Sequence, residues 1–540
     1  MLETSNFMKN SLRYILTLLS LIFIISCAKR SSITGGPKDE TPPVFLKATP
    51  PNFSTSFNNN EIKIYFDELV TIQDVQQILI SPPMQVKPEI TPVGYPSKFV
   101  KIKFKEALLD STTYSINFGS SIVDNNEKNP LTFFKYTFST GKILDSLTFN
   151  GTIKDALKTE VDKNISVHLY ELNENYKDSL VFKEYPRYVT NTLDSTGFKF
   201  ENLKAGKYKL IALNDAASNY LYEPEQDKIG FINDTIIIPR DSSAVVTLFK
   251  KSKKFKYVRA KQKSKNEFLI SYEGLLKNPE IEILDAKKDS LDLTFFKQQN
   301  KDTLQVFVKP FFEQDSIVFY AKSAIKNDTL VSRYKDQYKD SLKISPKNTT
   351  VKLNEDFVLN ALTPFQSFEK SNAQLFKQDS IPIDFKFLFD QYKNELKIRF
   401  NKTENTEYKL QLIPNCIQDF LGNTNDSIQY NFRTLANSEY GNLFLEVNKL
   451  SNNENYILQL LSDKEVVFEE IIENSDSKKI NISNLSPKDY QLRIVYDKNK
   501  NGKIDSGNFL EGLQPEFVYF FNETITIRAN WDINQSIDLK

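Results

Sequence analysis

The sequence predicts an all-β protein built as a tandem array of sandwich domains. Short runs in which apolar and polar residues alternate recur along the 540 residues, and Ile62, Ile64 and Phe66 form one of them. Side chains spaced by two residues lie on the same face of a strand, so each run fits a sheet with one buried face. No stretch sustains the i, i+3, i+4, i+7 apolar spacing of an amphipathic helix. We therefore expect no substantial helix after the N-terminal segment.

The N-terminal segment predicts export from the cytoplasm. Lys9 and Arg13 precede an apolar run that ends at Ile25, and a small residue follows it. This order of charged, apolar and small residues is typical of a secretory signal. The apolar run is about 12 residues long, whereas a membrane-spanning helix needs roughly 20. The phrase Ile-Ile-Ser-Cys resembles the lipobox of bacterial lipoproteins, and this resemblance implies that Cys27 carries the lipid.

Composition limits the classes of protein to which the chain can belong. It has two cysteines, so a lipidated Cys27 leaves Cys416 without a disulfide partner, and stability must come from apolar cores. Cys416 lies in the apolar phrase LQLIPNCIQDF, which favours a buried thiol over a nucleophile. The 70 basic and 69 acidic residues nearly cancel, so no nucleic-acid partner is predicted.

A first unit of the chain is repeated. The segments VKIKF at 100–104 and TTYSINF at 112–118 recur as LKIRF at 396–400 and TEYKLQL at 406–412. Each copy continues with an Asp before an Asn-containing turn and ends on a strand, YTFST or YNFRT. The second copy shows no Pro-rich opening and no counterpart of the strand around Phe66, so we expect a divergent repeat.

A second unit repeats at a shift of 282 residues, the difference between Asp215 and its counterpart Asp497. The segment FKFENLKAGKYKLIALND at 198–215 aligns with INISNLSPKDYQLRIVYD at 480–497, and both keep the pattern Asn-Leu-x-x-x-x-Tyr. Repeated units of this size predict an array of domains, not one large catalytic fold.

The first unit resembles the SbsA-type bacterial Ig-like domain. The likeness rests on TPPVFLKATPPN at 41–52, IKIYFDELV at 62–70 and FFKYTFSTG at 133–141. Through its Asn-Leu-x-x-x-x-Tyr pattern, the second unit is similar to prealbumin-like and carboxypeptidase-regulatory-like sandwiches. The whole chain, with TGGPKDETPP soon after Cys27, resembles Ig-domain lipoproteins of Bacteroidota. This resemblance implies architecture and location but no particular chemistry.

Together the repeats and resemblances predict five sandwiches in a row behind a lipoprotein signal peptide. Each is about 90–110 residues long, the ordinary size of a domain. The predicted segments are the signal peptide at 1–26, a tether at 27–41, an SbsA-type Ig-like domain at 42–141, a prealbumin-like sandwich at 142–250, a sandwich of undetermined type at 251–345, a divergent Ig-like repeat at 346–436 and a second prealbumin-like sandwich at 437–540.

The residues after Cys27 indicate where the lipid anchor lies. Ala28 rather than Asp follows the cysteine, which by resemblance to lipoprotein sorting implies the outer membrane. Surface lipoproteins of Bacteroidota often carry an acidic cluster at this point, whereas Lys29 and Arg30 stand here. We therefore expect the periplasmic face, with the cell surface as the alternative.

We expect a non-enzymatic envelope protein, a structural or binding scaffold whose partners are envelope proteins or glycans. The chain has one histidine, His168, and no G-x-S-x-G, phosphate-binding glycine loop or H-E-x-x-H motif. The alternative is a carbohydrate-binding or polysaccharide-processing accessory lipoprotein, because such modules can accompany polysaccharide-handling enzymes and exposed aromatic rings can stack on sugars. Plentiful carboxylates leave a glycosidase pair open, but they are dispersed in turns as on any solvated surface. The single tryptophan, Trp531, is expected in a core, with stacking on a sugar as its alternative role.

One segment resembles the first part of an EF-hand-type calcium loop. Oxygen donors stand at positions 1, 3, 5 and 9, and the glycine at position 6 permits the sharp turn that brings them together. Position 12 is Asn508 in place of the usual Glu, so a full site needs Glu511 or another donor. The candidate ligands are Asp497, Asn499, Asn501, Lys503 through its carbonyl, and Asp505.

The alternative to calcium is an Asx-rich turn held by its own side chains. The corresponding loop of the first copy, from Asp215 to Asn219, has lost most of the donors, so we expect it to bind nothing. Calcium is the only cofactor that the sequence suggests.

Asp followed by Ser or Thr before an aliphatic residue recurs ten times. This resembles the O-glycosylation acceptor pattern of exported Bacteroidota proteins. The pattern also fits a turn before a strand, and both can hold because an acceptor hydroxyl must lie on an exposed turn. The candidate acceptors are Ser146, Ser179, Thr235, Ser290, Thr303, Ser316, Thr329, Ser341, Ser380 and Ser427.

Overall fold

The computed structural model describes residues 38–284, 290–311, 314–378 and 381–539. Cys27, the signal peptide and most of the tether lie outside these residues. The chain divides into two compact units, residues 1–146 and 147–540. The described residues are almost all strand and loop, which confirms the all-β class, and none of their helices is long and apolar enough to cross a membrane. The described helices are 3₁₀ turns at Val75–Gln77, Asp178–Phe182, Lys370–Asn372, Asn437–Glu439 and Phe509–Glu511.

The first unit contains one sandwich, here called A1. Its strands are β1 (Phe45–Thr49), β2 (Glu61–Ile72), β3 (Leu79–Ser81), β4 (Glu89–Thr91), β5 (Ser97–Lys103), β6 (Thr113–Asn117), β7 (Ile122–Asp124) and β8 (Lys135–Ser139). One sheet has the order β1-β2-β5-β4 with β7 also on β2, and the other has the order β3-β6-β8. Ile62, Ile64 and Phe66 face the core between the sheets, as their spacing predicts.

The second unit begins with sandwich B1. Its strands are β9 (Leu147–Asp155), β10 (Ser166–Glu171), β11 (Tyr188–Asn191), β12 (Gly197–Leu203), β13 (Gly206–Asn214), β14 (Lys228–Phe231), β15 (Ile236–Ile238) and β16 (Ser243–Leu248). One sheet has the order β11-β10-β13-β14 with β15 also on β13. The other has the order β12-β9-β16, in which β16 lies parallel to β9.

Sandwich C follows, in the region for which the sequence leaves the sandwich type open. Its strands are β17 (Lys256–Gln262), β18 (Glu267–Glu273), β19 (Glu280–Ile283), β20 (Asp292–Lys297), β21 (Thr303–Lys309), β22 (Ser316–Lys322) and β23 (Asp328–Arg333). The sheets have the orders β17-β18-β21-β20 and β19-β22-β23. Phe268 and Phe319, from opposite sheets, meet in its core.

Sandwich A2 comes next. Its strands are β24 (Ile344–Pro346), β25 (Thr350–Val351), β26 (Phe357–Ala361), β27 (Phe365–Phe368), β28 (Ala373–Lys377), β29 (Ile381–Ile383), β30 (Lys386–Asp390), β31 (Glu395–Arg399), β32 (Glu407–Leu412), β33 (Ile417–Asp419) and β34 (Ile428–Thr434). The two main sheets have the orders β24-β26-β31-β30 and β25-β34-β32-β28-β29, and β27 pairs with β33.

Sandwich B2 ends the chain. Its strands are β35 (Gly441–Asn448), β36 (Asn455–Ser462), β37 (Glu465–Ile472), β38 (Ser477–Leu485), β39 (Asp489–Asp497), β40 (Val518–Phe520), β41 (Ile525–Thr526) and β42 (Asp532–Asp538). One sheet has the order β37-β36-β39-β40 with β41 also on β39, and the other has the order β38-β35-β42. These orders repeat those of B1 strand for strand.

The expectation that A2 lacks the strand around Phe66 is wrong. β26 pairs with β31 as β2 pairs with β5, and β27 pairs with β33 as the end of β2 pairs with β7. One long strand of A1 is therefore two short strands in A2. Pro364 lies in the break between them, and proline has no N–H to donate to a strand ladder. The interruption hides the alternating pattern in the sequence.

The Asn-Leu-x-x-x-x-Tyr pattern has the same structural role in B1 and B2. Asn202 and Asn484 take left-handed backbone angles, with φ of 59° and 58°, which asparagine tolerates better than most residues. Tyr208 and Tyr490 then bury their rings and donate their hydroxyls to the carbonyl four residues earlier, at 3.0 and 2.9 Å. The motif therefore fixes the turn into β13 and β39.

Candidate functional site

The loop between β39 and β40, residues 498–517, follows the first residue of the predicted calcium motif and contains the rest. Asp497 is buried, and its two carboxylate oxygens accept hydrogen bonds from the backbone N–H groups of Asn501 at 3.1 Å and Gly502 at 2.8 Å. Gly502 has a φ of +68°, as the predicted sharp turn requires. Asp505 accepts hydrogen bonds from the side-chain amides of Asn499 and, at 2.7 Å, of Asn501. Four predicted ligands therefore lie around one turn.

Lys503, the fifth predicted ligand, lies on the exposed side of the same turn. Its backbone N–H donates to the side-chain oxygen of Asn501 at 2.7 Å. The ammonium of Lys277, from sandwich C, lowers the pKa of Lys503 because the two like charges lie close together. The turn therefore lies near sandwich C as well as within B2.

Glu516 closes the loop and is not among the ligands predicted from the sequence. Its buried carboxylate accepts the backbone N–H groups of Lys498 at 3.0 Å and Asp505 at 2.9 Å. Burial raises the pKa of Glu516, and the negative charges of Asp497 and Asp505 add to this effect. Glu511, the residue suggested by the sequence, is exposed.

Sandwich B1 closes its corresponding loop in the same way. The buried carboxylate of Asp227 accepts the backbone N–H groups of Ala216 at 3.1 Å and Glu223 at 2.8 Å. In both sandwiches the closing carboxylate stands one or two residues before the next strand. Glu516 can therefore be identified by comparing the two copies at this position.

The arrangement in B2 concentrates negative charge without forming a complete metal shell. The charges of Asp497 and Asp505 act on Glu516, yet no group of three His, Cys, Asp or Glu residues is arranged as metal ligands within the described ranges. The side-chain NH₂ groups of Asn499 and Asn501 point at Asp505. Rotation of each side-chain amide by half a turn would direct its oxygen, in place of its NH₂ group, toward a cation beside Asp505.

The far end of the loop packs on B1, so two sandwiches that C and A2 separate in the sequence are in contact. Phe509 is 3% exposed and completes an apolar cluster on the outer face of the B1 sheet β11-β10-β13-β14. Its ring meets that of Phe231 edge to face, with centroids 5.1 Å apart. The side chain of Gln514 donates to the Phe231 carbonyl at 2.9 Å, and Asn233 donates to the Gly512 carbonyl at 2.9 Å.

Two glycines allow this close approach. A Cβ atom on Gly507 would lie 2.6 Å from the Phe249 ring and 2.7 Å from the Leu513 carbonyl oxygen, so no larger residue fits without movement. Gly512 ends the 3₁₀ turn that carries Phe509 with a φ of +65°, where glycine has no steric cost. A further contact comes from Arg493, whose guanidinium donates to the Leu157 carbonyl at 2.7 Å.

The two residues with the greatest catalytic potential are both inaccessible. The prediction of a buried Cys416 is confirmed, because its thiol is 1% exposed and burial raises its pKa to about 11. His168 is fully buried on β10, with its Nε2 atom 2.7 Å from the Ser166 hydroxyl. Its Nδ1 atom has no hydrogen-bond partner among the described residues.

The expectation that Trp531 lies in a core is wrong. Its side chain is 54% exposed, and the Arg528 guanidinium lies 5.1 Å from the ring centroid. Trp531 stands just before β42, so alternation within the strand does not direct it inward. The ring is available for contact with a ligand.

The hydroxyls of the Asp-Ser/Thr pattern differ in accessibility. Thr235 and Thr303 are half-buried, and Ser380 lies outside the described residues. Most of the others stand in turns or at the start of a strand, where a modifying enzyme can reach a hydroxyl. The exposed candidates are Ser146, Ser179, Ser290, Ser316, Thr329, Ser341 and Ser427.

Comparison with known proteins identifies the first sandwich. The family model described as a bacterial Ig-like domain matches residues 39–140, so an Ig-like domain occupies the A1 region. No curated protein matches the chain.

Among solved structures, the chain is similar to tandem Ig-domain proteins at low identity. The titin I9–I11 tandem is 10% identical, with 53% of this chain and 100% of that chain covered and a TM-score of 0.12. Drosophila OTK extracellular domains 3–5 are 11% identical, with 54% and 97% covered and a TM-score of 0.13. The S-layer protein rSbsC(31–844) is 10% identical, with 87% and 67% covered and a TM-score of 0.13. Likeness at this level carries no argument about function.

Burial of His168 predicts a loss of stability in acid. Burial lowers its pKa from 6.5 to about 3, so the folded chain holds the neutral imidazole while the unfolded chain takes up a proton near pH 6.5. The stability is therefore present above pH 6.5 and is lost as the pH falls toward 3. Between pH 7 and pH 5 the free energy of unfolding of B1 should fall by about 2 kcal/mol through this residue.

The free energy of unfolding is measured by urea denaturation of the full chain at both pH values. Hydrogen exchange of the β10 amides then reports the stability of B1 itself. The His168→Phe variant is the control, because it keeps an aromatic ring and cannot titrate. An equal pH response in wild type and His168→Phe would contradict the assignment.

Proposed function

We propose that the chain is a lipid-anchored envelope scaffold, in which each sandwich is one domain with the range predicted from the sequence. The observation that carries this proposal is the contact between B1 and B2. Phe509 of B2 completes an apolar cluster of B1, so domains far apart in the sequence hold each other in place. A fixed set of domains suits a protein that presents surfaces to partners.

A second contact supports the same proposal. Phe420 of A2 packs on Phe296 and Phe307, on the outer face of a sheet in sandwich C. The Lys309 ammonium lies 4.4 Å from the Phe420 ring centroid, within cation–π distance. Sandwiches C and A2 are thus joined by side-chain packing as well as by the chain itself.

The proposed anchor is a lipid on Cys27, in a chain that resembles the Bacteroidota lipoproteins with SbsA-type domains. Ala28 favours the outer membrane, and Lys29 and Arg30 favour its periplasmic face. O-glycosylation of the exposed Asp-Ser/Thr turns belongs to the same proposal, because these turns resemble the acceptor pattern of exported Bacteroidota proteins.

Glycan binding is the second candidate function, and the exposure of Trp531 is the observation in its favour. An exposed indole ring offers a flat apolar face on which a sugar ring can stack. Arg528 beside it offers hydrogen-bond donors. This candidate concerns B2 alone and requires no catalytic residue.

We also propose that the Asp497 turn binds calcium as a structural ion. The supporting observation is that Asp497, Asp505 and Glu516 gather around one turn, and Glu516 supplies the carboxylate missing from position 12. Three lysines, Lys498, Lys500 and Lys503, stand in the same segment and weaken the attraction for a cation. We therefore expect a dissociation constant of about 0.1–1 mM, the range of extracellular modules.

Replacement of Cys27 tests the anchor. Metabolic labelling with palmitate should mark the wild-type chain and leave Cys27→Ala unlabelled, because the thiol is the acceptor of the lipid. Cys416→Ala is the matched control and should label like wild type. Intact mass of the wild-type protein reports both lipid and any hexose. Palmitate on Cys27→Ala would refute the proposed anchor.

A glycan-binding assay distinguishes the two candidate functions. The mature chain from residue 28, made without lipid, is applied to a glycan array. A scaffold without glycan affinity gives no signal. Binding that is lost in Trp531→Ala would replace the scaffold proposal with the second candidate.

Calcium should stabilise the full chain. At 1 mM calcium and a dissociation constant near 0.1 mM, the added free energy of unfolding is about 1.4 kcal/mol. The measurement compares melting midpoints in calcium and in chelator for wild type and Asp497→Asn. Asp215→Asn, at the corresponding position of B1, is the control and should keep the calcium response. Equal wild-type midpoints in the two buffers, or a response that persists in Asp497→Asn, would reduce the loop to an ordinary turn.

A further inference from the structure

Strand β40 has one edge without a strand partner among the described residues. It is the last strand of its sheet and pairs only with β39. In antiparallel ladders the residues alternate between those whose N–H and C=O groups face the partner strand and those whose groups face away. The bonds from Tyr496 to Phe517 and from Phe521 to Leu492 fix this alternation. The backbone groups of Val518 and Phe520 therefore point to the open edge.

The same edge is covered in B1. Ile229 of β14 occupies the position of Val518, since Ile229 pairs with Leu213 as Val518 pairs with Val495. Ile229 donates its N–H to the Phe249 carbonyl at 2.9 Å and accepts the Phe249 N–H at 2.8 Å. B1 thus closes this edge with an extended segment of its own chain.

The open edge of β40 lines a cleft between B2 and B1. The cleft has a volume of about 780 Å³ and is bounded on the B1 side by residues of β9 and the loop after it. This volume lies within the range of about 300–1,000 Å³ that ligand pockets occupy. Thr247 of β16 and the exposed Phe517 also line it.

The accessible charge in the cleft is positive. Lys154 and Lys158 are both exposed at its wall. The acidic residues of the wall are already engaged, because Asp155 pairs with Lys228 at 2.6 Å and Glu516 accepts two backbone N–H groups. An occupant with negative side chains would therefore meet two exposed ammonium groups, of which that of Lys158 also lies near Asp162.

We propose that the cleft binds an extended acidic peptide of a partner protein, which adds to β40 as a further strand. Val518 would exchange two backbone hydrogen bonds with the peptide, as Ile229 does with Phe249, and acidic side chains would lie near Lys154 and Lys158. Strand addition to an open sheet edge is an established mode of peptide recognition. This partner deepens the scaffold proposal, but the site depends only on the packing of B1 against B2, so its failure would leave the anchor untouched.

The test is selection from a displayed library of random seven-residue peptides on the full mature chain. Wild type should enrich peptides with acidic residues, and Val518→Pro should not. Proline removes only the N–H that points to the open edge, and edge strands accept proline at such positions. An unchanged melting midpoint shows that the variant folds.

An enriched peptide is then synthesised with a fluorescent label and titrated. Methylation of its central backbone nitrogen, which leaves the protein unaltered, should weaken binding about tenfold through the lost hydrogen bond and the added bulk. Lys154→Glu and Lys158→Glu should weaken binding about tenfold, and salt should reduce the difference. Lys177→Glu, an exposed residue of B1 outside the cleft, is the control and should bind like wild type.

Three outcomes would overturn the proposal. The first is that wild type enriches acidic peptides no more than Val518→Pro does. The second is binding that is insensitive to methylation of the peptide. The third is self-association of the chain that Val518→Pro abolishes, which would assign the edge to a second copy of the protein.

Discussion

The outer face of one sheet in B1 is apolar, and covering that face is the constraint on which the second unit depends. A sheet in a sandwich buries one face against its partner and leaves the other to water. In B1 the sheet β11-β10-β13-β14 carries Ile211, Leu213 and Phe231 on its second face as well. Loops of B1 and Phe509 of B2 pack together on this face. Sandwich B2, the last of the second unit, is therefore held against sandwich B1, the first.

The loop that carries Phe509 connects this packing to the candidate sites. Its base is the turn around Asp497, its middle docks on B1, and its end leads through Glu516 into β40. The candidate calcium turn and the peptide edge therefore share one segment. A change that loosens the docking should alter both sites, whereas the buried thiol of Cys416 belongs to the core of A2 and should not respond.

Local patterns in the sequence predict much of this fold, and contacts between distant residues account for most of what they miss. Alternation identifies the core side of β2, and the Asn-Leu-x-x-x-x-Tyr pattern identifies equivalent turns in B1 and B2, because both depend on neighbours in the chain. The contact between Gln514 and Phe231 joins residues 283 positions apart, and no local pattern encodes it. Pro364 hides a strand by splitting it, and Trp531 is exposed because it precedes its strand. Glu516 becomes visible only when the closing carboxylate of B1 is known.

The most direct test of this account is the removal of the Phe509 ring. Phe509→Ala should lower the free energy of unfolding by about 3–5 kcal/mol, the usual cost of deleting a buried phenylalanine, and should speed hydrogen exchange in β14 of the distant sandwich B1. Phe517→Ala removes an exposed ring from the same loop and should change the free energy of unfolding by no more than about 0.5 kcal/mol. If exchange in β14 is the same in wild type and Phe509→Ala, the two sandwiches do not hold each other and the account is contradicted.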